Sequence, residues 1–308
     1  MSRDRRAVDK EAIEYHYDLS NDFYQLFLDP LMLYTCAYYR TPDGSLEQAQ
    51  QDKMDLVCRK LRLKPGERLL DIGCGWGSLA IWAAKHYGVE SLGVTLSHEQ
   101  VAWAQEWIAR EGLGDVCRVE HRDYRDAASE DPFDKISAIG IIEHVGVANY
   151  PAYFAEVHDL LKPGGLFLNH GITRHRHWKW TPQWQFLIEN VFPNGELMHV
   201  SHITERMEEK NFEILDVESL RAHYARTCYH WAESIRANQK AAIELVGEKK
   251  YRTWLLYLAS SSVNFEEGSI NLYQVLASRP NPATRIAPAT REAIYLQHQH
   301  PLPARTLA

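Results

Sequence analysis

Long hydrophobic runs are missing from this chain of 308 residues, and none approaches the roughly 20 apolar residues that a membrane-spanning helix requires. Residues 2–10 are charged with no apolar stretch behind them, so we expect no secretory signal. Cysteine is scarce: the five residues have no paired short spacing, which favours reduced thiols over a disulfide framework or a zinc site. These absences predict a cytoplasmic protein without a bound metal.

Basic residues are also too few for a nucleic-acid-binding surface. The chain has 34 Lys and Arg against 41 Asp and Glu, and the formal net charge of −7 disfavours a broad face that neutralises phosphates. Apolar residues make up 45% of the chain, which is enough for a large buried core. We therefore expect a folded protein whose partner is a small molecule and not a nucleic acid.

Short apolar runs alternate with helical segments from about residue 67 to residue 173. This is the pattern of successive βαβ units, which build a parallel sheet. The sequence predicts strands over 69–72, 91–95, 117–120, 135–141 and 166–169, and helices near 78–86, 98–111 and 150–161. The chain is thus expected to be an α/β protein.

The first predicted strand ends near Asp71 and leads into glycines at positions 73, 75 and 77. Glycine there lets the backbone approach a ligand at the start of the following helix. A dinucleotide site would use Gly-x-Gly-x-x-Gly and an acid about 20 residues further on. Here the third glycine comes one residue early and residues 94–97 (VTLS) contain no acid, which disfavours a nicotinamide cofactor. Asp71 suits the ammonium and sulfonium of S-adenosylmethionine; the alternative is that it is only a helix N-cap.

The alternation stops after residue 173, where an aromatic-rich stretch begins. We predict a strand over 212–217, helices over about 221–269, a last strand over 270–277 and an irregular tail over 281–308. One face of the first of these helices is apolar, because its residues are spaced three or four positions apart: Tyr224, Cys228, Trp231 and Ile235. An apolar face of this kind either packs in the core or forms a lid over an apolar substrate.

Several motifs resemble those of the cyclopropane-fatty-acid synthase and mycolic-acid cyclopropane synthase family, from about Tyr15 to Pro280. They are residues 16–23 (HYDLSNDF), 34–38 (YTCAY), the glycine loop, 93–97 (GVTLS), 123–126 (DYRD), 142–146 (IEHVG), 170–172 (HGI), 192–195 (FPNG) and 223–224 (HY). The resemblance implies a Rossmann-like class I methyltransferase fold, with a seven-stranded, mostly parallel sheet and helical lid insertions. The implied domains are an N-terminal helical cap (1–60), a cofactor-binding domain (61–280) with lids at about 174–211 and 221–269, and the tail (281–308).

The resemblance also implies the site residues. Besides Asp71, the residues around S-adenosylmethionine would be Tyr34, Thr35, Gly73, Gly75, Thr95, Gln100 and Asp123, with Gln100 on the ribose. A bicarbonate ion would act as the base, held by the side chains of Glu143, His170 and Tyr224 and by the backbone at Cys36 and Ile172.

The resemblance implies an unsaturated acyl chain as the substrate. An isolated alkene is a weak nucleophile, so it must be held in line with the sulfonium and away from water. The carbocation that forms would be stabilised by the aromatic faces of Tyr34, Tyr224 and Trp231. A base that removes a proton from the new methyl group then closes a cyclopropane ring.

Alternatives remain open. The same cation leads to methyl-branched or hydroxylated products, and the acceptor could instead be a soluble natural-product scaffold. A catalytically dead protein that senses S-adenosylmethionine or lipid is disfavoured, because Glu143, His170 and Tyr224 are intact. An amphipathic segment over 12–27 predicts either a helix that caps the cofactor or peripheral contact with the inner face of a membrane. A homodimer is a further expectation.

Overall fold

A computed structural model of the chain describes residues 19–129, 131–192, 195–283 and 290–295. The first part of the predicted amphipathic segment, two residues of the 192–195 motif and most of the predicted tail lie outside these ranges. In chain order the helices and strands are α1 (Asn21–Gln25), α2 (Leu46–Lys60), β1 (Arg68–Ile72), α3 (Ser78–Tyr87), β2 (Glu90–Thr95), α4 (His98–Arg110), β3 (Cys117–His121), β4 (Phe133–Ile139), α5 (Ile142–Val145), α6 (Tyr150–Leu160), β5 (Leu161–Arg174), α7 (Pro182–Asn190), α8 (Val200–Glu208), β6 (Glu213–Ser219), α9 (Arg221–Ala237), α10 (Gln239–Glu267), β7 (Ile270–Ser278) and α11 (Glu292–Tyr295).

The strands form one seven-stranded sheet in the order β3-β2-β1-β4-β5-β7-β6. The neighbouring strands from β3 to β5 run parallel, whereas β7 is antiparallel to both β5 and β6. Because the parallel strands end at the same edge, the loops after β1, β2 and β4 meet there. The predicted α/β class and the mostly parallel, seven-stranded sheet are confirmed.

The sheet is buried on both faces because its side chains alternate between two cores. Leu69 of β1 packs with Met54 and Val57 of α2, together with residues of α3. Its neighbour Leu70 packs in a different cluster, which contains Phe154 of α6. The apolar strands of the parallel sheet are therefore covered by helices on each side.

A separate aromatic cluster is built from α1, α7, α9 and α10. The predicted face of α9 is buried as a whole, since Tyr224, Cys228, Trp231 and Ile235 are 9%, 2%, 0% and 0% exposed. These residues pack with aromatic side chains of α1, of the segment just after it and of α10, namely Phe23, Tyr24, Phe27, Trp254 and Tyr257. Phe23 and Phe27 thus lie inside the protein and do not face a bilayer.

Some predicted boundaries are wrong. β4 ends at Ile139 and not at residue 141, because Gly140 has a φ of 73° that a strand cannot continue. β5 runs from Leu161 to Arg174 because it pairs with β7 along most of its length, so His170 lies inside the strand and not at its end. Glu143 lies four residues past Ile139, the last residue of β4, in the short helix α5.

The chain after β7 is not irregular throughout. Residues 292–295 form α11, and the side chain of Ile294 is buried. Arg59 of α2 donates a hydrogen bond to the carbonyl oxygen of Ile294, and Arg291 forms an ion pair with Asp216 of β6. Within the described ranges, no helix combines the length and the apolar character that crossing a bilayer would take.

Candidate active site

A cavity of ≈ 370 Å³ lies between the carboxyl edge of the parallel sheet and the aromatic cluster. This volume falls in the range of small-molecule sites. On the sheet side, its lining is polar; we call these residues the polar wall: Lys53, Asp71, Thr95, Gln100 and Glu143. On the other side lie Tyr34, Tyr224 and Tyr257, which we call the aromatic wall.

The glycine loop between β1 and α3 shapes one end of the cavity. Gly73, Gly75 and Gly77 have φ values of 67°, 56° and 83°, which only glycine adopts without strain. Gly77 is the N-cap residue of α3, so Asp71 does not cap that helix, and the N-cap alternative is excluded. The loop also contacts α1, since the indole nitrogen of Trp76 donates to Oδ1 of Asn21 at 2.8 Å.

Asp71 is buried at the end of β1 and lines the cavity. The hydroxyl of Ser137 on β4 donates a hydrogen bond to Oδ1 of Asp71 at 2.6 Å. Burial raises the pKa of Asp71 to about 6, although the Ser137 hydrogen bond and the charge of Lys53 lower it. A cationic ligand stabilises the charge of a buried carboxylate, because it replaces the interactions with water that burial removed.

The remaining predicted cofactor residues have partners of their own. The hydroxyl of Thr95 donates to Oε1 of Gln100 at 2.7 Å, and both residues line the cavity. Arg125 donates to Oδ1 of Asp123 at 2.8 Å through its Nε atom. The structure brings all the predicted cofactor residues to one cavity: Tyr34, Thr35, Asp71, Gly73, Gly75, Thr95, Gln100 and Asp123.

The predicted bicarbonate residues divide into two groups. Glu143, Ile172 and Tyr224 line the cavity, whereas Cys36 and His170 are buried but do not line it. Oε1 of Glu143 accepts a hydrogen bond of 3.5 Å from the backbone N–H of Ile172. Burial raises the pKa of Glu143 to about 7, so both protonation states are populated near neutral pH.

His170 and Glu143 each carry a buried polar atom that no described residue satisfies. The amide nitrogen of Gln274 donates to Nδ1 of His170 at 3.1 Å, and in this amide orientation the neutral ring carries its proton on Nε2. Burial lowers the pKa of His170 well below its usual value, so the ring stays neutral. Nε2 of His170 and Oε2 of Glu143 have no hydrogen-bonding partner among the described residues. A donor and a carboxyl oxygen in this state fit a small oxyanion.

The aromatic wall joins parts of the chain that are far apart in sequence. The hydroxyl of Tyr34 donates to the hydroxyl of Tyr257 at 2.9 Å. Behind this pair, the ring of Trp231 lies 5.2 Å from that of Tyr34 and 6.0 Å from that of Tyr224, measured between centroids. Trp231 supports the wall from behind and does not line the cavity.

A family model described as mycolic acid cyclopropane synthetase matches residues 4–275. The chain belongs to this family. Its sequence is 47% identical over 299 residues to a probable fatty acid methyltransferase of Pseudomonas putida, a match that covers 96% of this chain and 75% of the relative. It is 41% identical over 264 residues to the cyclopropane-fatty-acyl-phospholipid synthase of Escherichia coli K12, covering 86% of this chain and 66% of that protein.

A solved structure agrees with these relatives. The mycolic acid cyclopropane synthase CmaA1, complexed with SAH and CTAB, matches with a TM-score of 0.83 at 35% identity, over 87% of this chain and 98% of that one. The protein is therefore an S-adenosylmethionine-dependent methyltransferase. The prediction that S-adenosylmethionine is its cofactor is confirmed.

Some residues of the site were not predicted from the sequence. Lys53 and Tyr257 line the cavity, and Ser137 holds Asp71. Lys53 lies in an ordinary amphipathic helix and Tyr257 in a long helix, so neither spacing nor composition distinguishes them from surface or core residues. Their roles depend on contacts between distant segments, which no local signal encodes.

Proposed function

We propose that this protein transfers a methyl group to an alkene carbon of an unsaturated acyl chain and that the product closes to a cyclopropane ring. The observation that carries the proposal is that Oε2 of Glu143 and Nε2 of His170 are both buried without a partner among the described residues, and that Glu143 lines a cavity with an aromatic wall. An apolar chain fits that wall, and CTAB, which has such a chain, is bound in the related CmaA1 structure.

S-adenosylmethionine, when bound, supplies an electrophilic methyl group. The polar wall would bind its charged portion, with Asp71 pairing the ammonium. Tyr34 and Tyr224 would present their ring faces to the positive charge that develops on the substrate carbon. Both rings are largely buried, which keeps water away from that carbon.

We propose a bicarbonate ion as the base, held by Glu143, His170 and Tyr224 and by the backbone at Cys36 and Ile172. The ion offers both an acceptor for Nε2 of His170 and a hydroxyl for the carboxylate of Glu143. With its pKa raised to about 7, Glu143 can share a proton with the ion at neutral pH. This arrangement supports removal of a proton from the new methyl group by the bicarbonate ion.

Simple methylation is the second candidate. It is favoured by the name of the Pseudomonas putida relative, a probable fatty acid methyltransferase. In that reaction the cation loses a proton from the acyl chain, so the product is methyl-branched and keeps a double bond.

The deciding experiment uses purified protein, labelled S-adenosylmethionine and vesicles of phospholipid with cis-unsaturated acyl chains. Both candidate products gain one CH2, so mass alone does not separate them. Proton NMR and ozonolysis of the extracted chains do: a cyclopropane shows upfield ring protons and resists ozonolysis. A labelled product cleaved by ozone would favour methylation, and the absence of label from the extracted acyl chains would contradict both.

A further inference from the structure

Basic and aromatic side chains are concentrated in one exposed segment that the proposed chemistry does not use, residues 174–180 (RHRHWKW). The segment begins at the last residue of β5, and most of its residues are exposed. Trp180 is 61% exposed, more than any other large apolar residue of the described chain. An indole left in water gives up the favourable free energy that burial would provide. A partner that removes Trp180 from water would therefore be bound favourably.

The charge of this segment is opposite to that of the chain as a whole. Arg174, Arg176 and Lys179 are positive, and no acidic residue occurs between Asp159 and Glu189. Within the described ranges, no carboxylate forms an ion pair with any of these three basic side chains. The formal net charge of the protein is −7, so the positive charge is confined to this region. A local patch of this kind attracts an anionic partner.

The segment is held in place by ring contacts. The guanidinium carbon of Arg174 lies 5.9 Å from the ring centroid of Trp178, and its Nε atom donates a hydrogen bond to the carbonyl oxygen of Leu197 at 2.8 Å. The ring of Trp178 lies 6.0 Å from that of Trp180 and 5.3 Å from that of Trp184, measured between centroids. Trp184 in turn packs against the aromatic cluster. Trp180 is thus the outer member of a row of three rings that is anchored in the core.

The region that contains this segment begins and ends at the cavity. The chain leaves the cavity at Ile172, forms the segment and α7, and returns to the cavity at Phe192. Leu187 of α7 is buried in the aromatic cluster. The ring of Phe192 lies 5.2 Å from that of Tyr257 in the aromatic wall. The exposed segment is therefore joined, through α7 and Phe192, to the wall against which an acyl chain would lie.

We propose that Arg176, Trp178, Lys179 and Trp180 form a docking surface for an anionic phospholipid bilayer, from which the acyl chain enters the cavity. Tryptophan favours the headgroup level of a bilayer, and lysine and arginine near it are attracted to anionic lipid. Because no acidic residue lies among them, an anionic headgroup meets no local repulsion. The entry of the acyl chain rests on the proposed function, whereas the binding of this surface to a bilayer does not.

Flotation with vesicles tests the docking surface without the reaction. The vesicles contain saturated phosphatidylcholine, alone or mixed with saturated phosphatidylglycerol, above their melting temperature. Saturated chains have no double bond to accept a methyl group, so the measurement reports binding to the bilayer alone. We expect the unmodified protein to bind the anionic vesicles about tenfold more tightly than the neutral ones, and to lose this preference in high salt, which screens exposed charges.

Two changes separate the charges from the indole. Arg176→Gln combined with Lys179→Gln should weaken binding to the anionic vesicles about 30-fold and leave binding to the neutral vesicles nearly unchanged. Trp180→Ser should weaken binding to both kinds of vesicle about tenfold, because it removes apolar surface that the bilayer would bury.

Matched controls carry similar changes on other exposed helical surfaces. Lys249→Gln combined with Lys250→Gln removes two exposed lysines of α10, and Tyr229→Ser removes a residue that is 55% exposed on α9. Both controls should bind the anionic vesicles within about threefold of the unmodified protein. Affinity for S-adenosylhomocysteine, measured by calorimetry, should stay within about twofold in all four variants, which shows that they are folded.

The outcomes are distinct. Equal binding of the unmodified protein to anionic and neutral vesicles, or equal losses in the docking-surface variants and their controls, would overturn the docking surface. Failure to bind either kind of vesicle, with labelling of acyl chains attached to an acidic carrier protein, would overturn it and identify a protein as the partner. Vesicle binding without labelling of unsaturated chains would support the docking surface and contradict the proposed function instead.

Discussion

The polar wall and the aromatic wall enclose one cavity but are built differently. The polar wall comes mainly from the carboxyl edge of the sheet, where Asp71 and Thr95 lie at the ends of the parallel strands β1 and β2 and Glu143 follows β4. The aromatic wall comes from separate segments, and its Tyr34–Tyr257 hydrogen bond spans 223 residues of sequence. The first wall depends on strand register, the second on packing between helices.

This difference separates two tasks of the enzyme. Charged groups must be fixed to bind a polar cofactor, and strand ends fix them because each strand is held by its neighbours. An acyl chain needs apolar surface, and packed aromatic rings supply it without directional bonds. We therefore expect changes in the polar wall to affect cofactor affinity and changes in the aromatic wall to affect stability. Glu143, which we propose shares a proton with the bicarbonate ion, should affect turnover.

The largest effect is expected from Glu143→Gln. Loss of an acid–base group typically lowers turnover by about 100-fold or more, while affinity for S-adenosylhomocysteine should stay within about twofold because the cofactor's charged groups are bound elsewhere. Turnover is measured by label transfer across a range of bicarbonate concentrations. The matched control is Glu189→Gln, an exposed carboxylate on α7. Full activity of Glu143→Gln at every bicarbonate concentration would contradict the anion site.

Asp71→Asn should have the next largest effect, a loss of about 10- to 100-fold in affinity for S-adenosylhomocysteine at pH 8. The unmodified protein should lose affinity as the pH falls below about 6, the raised pKa of Asp71, because protonation removes the charge that the ammonium needs. Calorimetry from pH 5 to pH 8 tests this. Below the pKa of Asp71 we expect the affinity to fall roughly tenfold for each pH unit.

The pH effect has its own control. Asp71→Asn should bind with little pH dependence, and 5′-methylthioadenosine, which lacks the ammonium, should bind the unmodified protein equally well across the range. A pH dependence that persists in Asp71→Asn would assign the titration to another group.

Tyr257→Phe should have the smallest effect. It removes the hydrogen bond to Tyr34 but keeps the ring, so we expect a loss of about 0.5–1.5 kcal/mol in the free energy of unfolding and unchanged cofactor affinity. Urea unfolding measures the first and calorimetry the second. Tyr229→Phe, at a residue 55% exposed on α9, should change neither. A large loss of cofactor affinity in Tyr257→Phe would mean that the two walls are not separable.

Much of the polar wall could be read from the sequence. The apolar alternation predicted the parallel sheet, and Asp71 with its glycines marked the loop where a ligand binds. The exact ends of β4 and β5 were missed because Gly140 and the pairing with β7 decide them. The predicted strand over 166–169 stops just before His170, whereas in the structure His170 lies inside β5 and Gln274 contacts its ring.

The amino-acid sequence alone determined the fold class, the cofactor loop and the buried face of α9, because each depends on short-range periodicity or on residues adjacent in the chain. Only the tertiary structure decided that Lys53 faces the cavity, that Ser137 holds Asp71 across 66 residues, and that Tyr34 and Tyr257 meet. These contacts depend on strand register and on helix packing. The packing energy is distributed over many residues that are distant in sequence, so no single motif predicts it.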